Sequence, residues 1–403
     1  MICRKKYTLK RIFMGGIRRI IWYIYIMLSY IFRIFPLQDK VVASTMNGRK
    51  FDDNSKYVYY ELHRISPKLK LVWLKDMRYD YHVPSWVSIV PYRGLRKIYE
   101  ISTAKVWFST HRVPSYVRKR KGQLYIETWH GGIGTKQVGY CKTQFSESVS
   151  KMKKITKLAD VFTSGSDFFS QIYRRSFFYD GIIWKCGTPR NDILIIDHKD
   201  IGEQVRTHLG IPLSCKLFLY APTFRDQFQF KGEVDMHYYD VDYERLLLSL
   251  QRRFGGEWII LLRWHPCIRL RMEGKVKADK VIDVTGYPDM QQLLAASDAM
   301  MSDYSSSIMD GALCRIPCFI FATDYEEYRR DRGLHFEMDE LPFPYASNND
   351  ELEQNILAFD KDDYLKKWDA FSVKVGLNET GHASHDIAEK IVAHINGEEI
   401  EWK

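Results

Sequence analysis

The chain has no CxxC pair, no GxxxxGK[ST] phosphate loop, no GxSxG elbow and no HExxH pair. Those gaps remove the redox dithiols, the P-loop nucleotidases, the serine-elbow hydrolases and the helix-borne zinc proteases from consideration. Its seven cysteines are odd in number, and Cys314 and Cys318 flank Arg315 and Pro317 in an apolar stretch. Buried free thiols in a reducing compartment follow, which places the chain in the cytoplasm. No metal is required by the sequence. Asp240-Val241-Asp242 has the DxD form of some metal-dependent transferases, but it directly precedes a helical pattern and reads better as an N-cap.

Acidic charge is scarce at the N-terminus. Residues 1–40 hold nine Lys or Arg against Asp39 alone, a net +8 of the +10 on all 403 residues. The remaining body is near neutral, which disfavours nucleic acid as a partner and points to an anionic membrane surface. Residues 20–32 form a charge-free run of 13, where a spanning helix needs about 20. A signal peptide shares the basic and apolar regions, but Arg33-Ile34-Phe35-Pro36 follows in place of small residues. The expectation is a helix lying in the interface, with Arg18 and Arg19 on headgroups and Trp22, Tyr23, Tyr25 and Tyr30 at headgroup depth. A helix packed on the protein's own core or in an oligomer contact is the alternative.

What is present is a normal globular balance, 45% hydrophobic and 27% charged, with 14% aromatics. The length fits two domains. From residue 41, short apolar runs alternate with amphipathic stretches. Strands are expected at 41–45, 70–74, 104–110, 122–130, 160–166 and 182–187. After a turn-rich break at 187–192 they resume at 216–223, 257–265, 280–285, 298–304 and 318–322. Helices are expected between them, for example at 56–65, 94–102, 243–254, 290–296 and 306–313. The prediction is an α/β protein of two doubly wound Rossmann-like domains facing a cleft. The divisions are a basic and apolar segment at 1–40, domains at 41–200 and 201–375, and a helix within 376–403 returning to the first domain.

Ligands of such sheets sit beyond the strand carboxyl ends, and several chemically equipped segments fall there. Trp129-His130-Gly131-Gly132-Ile133-Gly134 follows one strand. The glycines let backbone N–H groups approach an anion, and His130 could serve as a general base. On the pattern alone, a structural histidine beside a turn fits equally well. Thr223 and Arg225 end the next such strand, where Arg225 could fork onto a diphosphate or simply pair with Asp226. Arg263 and His265 sit together at a third tip and suit phosphate binding; a satisfied strand-end histidine fits His265 as well. Asp303, Ser305 and Ser306 lead into a helix whose N-terminus suits phosphate, though plain capping explains one serine. Asp310, Asp324 and Glu327 could reach a ribose or donor hydroxyls, against solvated or core-facing roles.

Taken in order, these segments resemble the CDP-glycerol glycerophosphotransferase family, the teichoic acid primases and polymerases. Trp129-His130-Gly131 resembles its WHG element, 220–226 its YAPTxRD, 263–266 its RxHP and 303–306 its DYSS. Residues 324–328 with Arg332-Gly333 resemble its D-x-E-x-Y and RG, and Gly48 with 52–57 its early SDNPKY. The departures are Phe224 where the family usually has Trp, Gly132-Ile133-Gly134-Thr135-Lys136 after WHG, and Leu341-Pro342-Phe343-Pro344 in place of a late Pro-Gly-Pro. The resemblance implies a glycosyltransferase-B type fold, with the acceptor in the first half and the CDP portion in the second. It implies transfer of glycerol phosphate, or a related alditol phosphate, from CDP-glycerol or CDP-ribitol to a lipid-linked or polymeric glycan acceptor, with release of CMP and no cofactor. His130 would take the acceptor proton. His265, Arg225 and the Ser305/Ser306 helix terminus would stabilise the diphosphate. The expected location is the cytoplasmic face of the cell membrane, held peripherally. The chain has no counterpart of the large polymerases' extra N-terminal region, which favours a primase-like or capsule-type enzyme adding one or few units. A nucleotide-sugar glycosyltransferase and a non-catalytic membrane scaffold are the competing readings.

Overall fold

Segments such as Lys70–Lys75 and Leu124–Glu127 are apolar at successive positions, which suits strands covered on both faces. The computed structural model, which describes residues 20–111, 113, 116–141, 148–196, 199–225 and 234–402, arranges them in two all-parallel sheets. Arg18, Arg19, Cys3 and Asp226 lie outside the described residues.

The first sheet contains β1 (Gln38–Ser44), β2 (Lys70–Lys75), β3 (Val87–Pro91), β4 (Ala104–Ser109), β5 (Leu124–Glu127), β6 (Val161–Thr163) and β7 (Ile182–Trp184), in the order β3-β2-β1-β4-β5-β6-β7. The second contains β8 (Lys216–Tyr220), β9 (Trp258–Leu262), β10 (Val281–Asp283), β11 (Ala299–Ser302), β12 (Cys318–Phe321) and β13 (Tyr345–Ala346), in the order β10-β9-β8-β11-β12-β13. Strand alternation divides the first core into two layers. Val41, Leu71, Trp73, Val106, Phe108 and Ile126 pack on one face, and Val42, Val72, Leu74, Trp107 and Tyr125 on the other.

Each of the eleven strands read from the sequence is present. The two that were not read are sheet edges. β3 buries only Val87 and Val90 and ends in Pro91, while β13 has two residues. Neither carries an alternation long enough to register.

The helix Ala383–Asn396 lies on the helix Asp53–Ile65 of the first half. Ile387, Ala388 and Ile391 join the core cluster of Val58, Tyr59 and Leu62. Asp192 anchors its start, accepting the N–H groups of Ala383 (3.0 Å) and Ser384 (2.7 Å).

Residues 20–31 are helical. Ile20, Tyr23, Ile24, Met27, Tyr30 and Ile31 form one exposed stripe at helical spacing, continued by Ile34 at 77% exposure. The opposite face meets the protein. Tyr25 packs edge-on against Tyr116 at 5.1 Å, and Ser29 is buried. Tyr25 therefore faces the body, not the headgroup level expected for it, because the exposed stripe leaves it on the inner side. Arg33 ties the end of this segment down by donating to the carbonyls of Arg118 and Lys119. No helix among the described residues is long and apolar enough to cross a membrane.

Candidate active site

Each sheet reverses its winding once, between β1 and β4 and between β8 and β11. Loops diverge there and leave a crevice at the strand carboxyl ends. At the second reversal, the N–H of Thr223 beyond β8 donates to Asp303 beyond β11 at 2.9 Å. The guanidinium of Arg225 forks onto Asp324 (2.6 and 2.8 Å), donates to Asp303 (2.8 Å), and lies over the ring of Tyr304. The Tyr304 hydroxyl also donates to Asp324, at 2.9 Å. All four of Thr223, Arg225, Asp303 and Asp324 are buried.

This corrects the part expected of them. Burying a guanidinium demands counter-charge. Two carboxylates and the Thr223 oxygens take most of the donors of Arg225, so the cluster shapes the crevice floor and leaves little for a diphosphate. Asp242 likewise caps its helix, accepting the N–H of Arg245. Glu327 accepts from the Tyr238 hydroxyl at 3.0 Å and stays half-buried.

Further cations gather nearby. Arg263, half-buried at the tip of β9, donates to the carbonyls of Val284 (3.2 Å) and Tyr287 (2.9 Å), and burial lowers its pKa. Among the described residues it has no ion pair. Lys50 is held below the usual amine range by burial and then by Arg263. His265 is pushed down to about 3 by burial and then by Lys136, Lys50 and Arg332. Groups that depress one another in this way share a positive field around one region. Lys50 and Lys136 come from the first half of the chain and Arg263, His265 and Arg332 from the second, so the field lies between the halves.

His265 is thus neutral, not the cation expected at that tip. Its Nδ1 accepts the N–H of Cys267 at 3.2 Å, which leaves the ring proton on Nε2 as a hydrogen-bond donor. The Phe224 ring packs on the imidazole at 4.3 Å.

His130 lies in the first half, beyond β5. Trp129 before it has φ +56°, a strained conformation for a bulky residue. The turn is held by Glu127 Oε1, which accepts the Trp129 N–H at 2.9 Å, and by Asn54, which donates to the Trp129 carbonyl at 3.1 Å. His130 is exposed. Its Nδ1 lies 3.2 Å from the carbonyl of Thr110; a carbonyl only accepts, so Nδ1 carries the proton and Nε2 the lone pair. Gly131, Gly132 and Gly134 all avoid positive φ. They bring the turn close to the second half: a Cβ on Gly134 would lie 3.5 Å from Ser306 Cβ, and one on Gly132 3.6 Å from Asp310 Oδ1. Ser305 caps the helix Ser307–Leu313, accepting the Ser307 N–H at 3.3 Å, and the Ser306 side chain makes no cap bond.

Asp310, expected near the donor, is instead the second-half anchor of a buried clasp. Arg190 ion-pairs with Asp310 (3.1 Å) and Asp53 (2.9 Å) and donates to the His130 carbonyl at 2.8 Å. Burial opposes its charge, but Asp310 and Asp53 outweigh that and raise its pKa. Asn191 and Gln291 also donate to Asp310. Two carboxyls nearby are forced toward neutrality. Burial, then Asp53, raises Asp52 to about 7, and among the described residues its Oδ1 makes no hydrogen bond. Burial raises Glu379 to about 8, although the Thr188 N–H and Asn191 amide donate to it.

The structure therefore brings the glycine turn after His130 against Ser306 and Asp310, and Lys50 and Lys136 into one field with Arg263 and His265. Sequence reasoning missed His111, Lys50, Arg190 and Glu379. His111 directly follows the strand read at 104–110, so the strand-tip rule that found His130 applied to it too. Arg190 sat in a segment read as a turn.

Residues 26–393 match the family model described as CDP-Glycerol:Poly(glycerophosphate) glycerophosphotransferase. A teichoic acid poly(glycerol phosphate) polymerase of Staphylococcus epidermidis is 29% identical, over 87% of this chain and 50% of its own length. A teichoic acid glycerol-phosphate transferase of Staphylococcus aureus is 26% identical, over 88% of this chain and 93% of its own length. This chain thus spans about half the length of the polymerase and nearly all of the transferase. The solved structure of the wall teichoic acid polymerase TagF is 26% identical and superposes with a TM-score of 0.80, covering 95% of this chain and 97% of that one. A histidine-to-asparagine variant of it soaked with CDPG superposes equally well, at 25% identity.

Proposed function

This chain belongs to the CDP-glycerol:poly(glycerophosphate) glycerophosphotransferase family, and from that premise we propose that it transfers glycerol phosphate from CDP-glycerol to a hydroxyl of a teichoic acid or capsular acceptor. The acceptor oxygen attacks the phosphorus that bears the glycerol. A new phosphodiester O–P bond forms, the diphosphate bridge to that phosphorus breaks, and CMP leaves. The acceptor proton passes to His130 Nε2.

One observation carries this reading. A histidine whose Nδ1 donates to the Thr110 carbonyl starts a glycine turn that lies against the second half at Ser306, and Lys50 and Lys136 of the first half share a positive field with Arg263 and His265 of the second. Charge grows on the leaving phosphate during transfer, and fixed donors placed there act without reorganising. Arg263 and Lys50 supply charge. His265 supplies an Nε2–H, and Ser306 with the first amides of its helix supplies further donors. Arg225, with Thr223, Asp303 and Asp324, holds that surface in shape. Glu327 is the carboxylate left half-buried for a donor hydroxyl. No metal enters this scheme.

The two halves work as a glycosyltransferase-B type pair, with acceptor first and nucleotide second. The exposed stripe on the 20–31 helix, with Trp22 at its margin, rests on an anionic membrane surface at the cytoplasmic face. A lipid-linked glycan would meet the crevice there.

The test is CMP release from CDP-glycerol, CDP-ribitol and UDP-glucose with a lipid-linked acceptor, alongside His130→Ala. CMP from CDP-glycerol, lost in the variant, supports the reading. CMP from CDP-ribitol alone changes the donor. UDP release alone moves the protein to the glycosyltransferases and sinks the proposal.

A further inference from the structure

Two lysines are buried on the inner side of the helix Leu95–Thr103, and the protein treats them differently. Lys40 of β1 is fully buried but satisfied: it pairs with Glu100 at 2.5 Å and donates to Thr103 at 2.6 Å. Lys97 is 2% exposed, and among the described residues its ammonium makes neither an ion pair nor a hydrogen bond. It lies over the Tyr92 ring at 3.5 Å, with Tyr116 at 5.9 Å. Burial, then Arg93, pushes its pKa down to about 7. An uncompensated buried cation is expensive, and aromatic faces offset only part of that cost.

The surroundings of Lys97 are a cavity. It is small, about 30 Å³; Val42, Leu74, Ile101, Trp107 and Phe108 form its apolar walls, and Ser44 of β1, Ser109 of β4, Asn47, Tyr92 and His111 its polar part. It therefore sits at the reversal point between β1 and β4, where a sheet of this kind takes its ligand. Asn47 and Tyr92 are hydrogen-bonded at 2.9 Å, with Asn47 exposed. At the other side His111 stacks on His130. Tyr116, beside Lys97, carries Tyr25 of the 20–31 helix.

We infer that Lys97 is an anion subsite that receives a phosphate group carried by the acceptor, one unit back from the hydroxyl presented to His130. The inference rests on the acceptor-side reading above and deepens it. A growing chain of phosphodiesters, or a lipid-linked phosphate, has such a group. A neutral sugar does not, so Lys97 selects acceptors that are already phosphorylated. Binding restores the missing counter-charge, which favours the protonated lysine.

Calorimetry on the full chain tests this without turnover, with sn-glycerol 3-phosphate as probe and glycerol as control, in the wild type and in Lys97→Met. The expected result is wild-type binding of the phosphate probe but not glycerol, weakened roughly 30-fold or more in the variant, as for removal of one partner of a buried charged pair. CDP-glycerol affinity and melting temperature should hold in Lys97→Met, which shows that the variant is folded. Equal probe affinity in both proteins overturns the inference, and so does failure of the folded wild type to bind the probe. Lys97-dependent binding to phosphatidylglycerol vesicles without probe binding assigns the anion to the lipid surface and overturns the acceptor role. In the transferase assay, KM for a phosphorylated acceptor should rise in the variant while KM for the donor does not. If no CDP-alditol yields CMP, the reaction proposed above falls, while the calorimetry still decides Lys97.

Discussion

The imidazoles of His111 and His130 lie parallel, 4.2 Å apart between centroids and 7° from coplanar planes. Trp129 packs on His130 at the same distance. An exposed histidine beyond a strained residue would ordinarily sample several rotamers. Here two rings and the Thr110 carbonyl fix its plane and its tautomer.

Two variants separate these parts. His130→Ala should lower kcat by about 10²–10⁴, the usual contribution of a positioned base. His111→Phe keeps a stacking ring and should retain most activity, whereas His111→Ala should lose about tenfold through loss of alignment. Similar kcat values for His111→Phe and His111→Ala would show that the stack does no positioning.

The sheet arrangement was legible because central strands are apolar on both faces and end in sharp turns, as at residues 70–75 and 216–220. The site was legible only as a set of strand tips. Pattern cannot tell a cation that faces solvent from one that is already paired. Arg225 and Arg263 both read as diphosphate ligands, yet among the described residues Arg225 pairs with Asp303 and Asp324 while Arg263 makes no ion pair and donates to two carbonyls. The partners of Arg225 lie 78 and 99 residues away, a separation that no local rule reaches. Tyr25 failed for a related reason: helical spacing defines a stripe, but it takes the Tyr116 contact and the burial of Ser29 to show which side faces inward.

His265 should act as a neutral donor. With its pKa near 3, the free enzyme's donor affinity should not track the titration of an ordinary histidine between pH 6 and 8. His265→Gln retains an N–H and should keep more donor affinity than His265→Ala. Affinity that falls tenfold from pH 6 to pH 8 in the wild type and not in His265→Ala would mean that the ring binds as a cation.

Glu379 should make stability fall with rising pH. Its carboxyl ionises near 4.5 when unfolded but near 8 in the fold. Between those values the folded state holds more protons, so its stabilising contribution is complete below pH 4.5 and is lost as pH rises through 8. Glu379→Gln removes that dependence. The melting temperature of the variant relative to wild type should therefore rise between pH 5 and pH 8.5; a constant difference would show that Glu379 is ionised throughout.

Chelation is a direct test of the all-protein charge scheme. Asp242 of the DxD segment is spent on capping, and no group of three or more His, Cys, Asp or Glu among the described residues could hold a metal. CMP release should persist after dialysis against EDTA. Loss of activity restored by Mg²⁺ would give the diphosphate a metal partner in addition to Arg263 and Lys50.

The clasp between Arg190 and Asp310 joins the two halves beneath the glycine turn, so its loss should be felt in stability and in catalysis. Removing one member of a buried ion pair strands the other, at a cost of about 3–5 kcal/mol. Arg190→Met should cost this much because it strands both Asp53 and Asp310, and it also frees the His130 carbonyl. Asp310→Leu leaves Arg190 its pair with Asp53 and should cost less. In the double variant no charge is stranded at the Asp310 side. Its loss should fall short of the sum of the singles by about 1–3 kcal/mol, the coupling expected of residues in one network. Strict additivity in urea melts would mean that the two side chains do not act as a pair. If the coupling appears but kcat is unchanged in Arg190→Met, the clasp supports the fold and not the placement of His130.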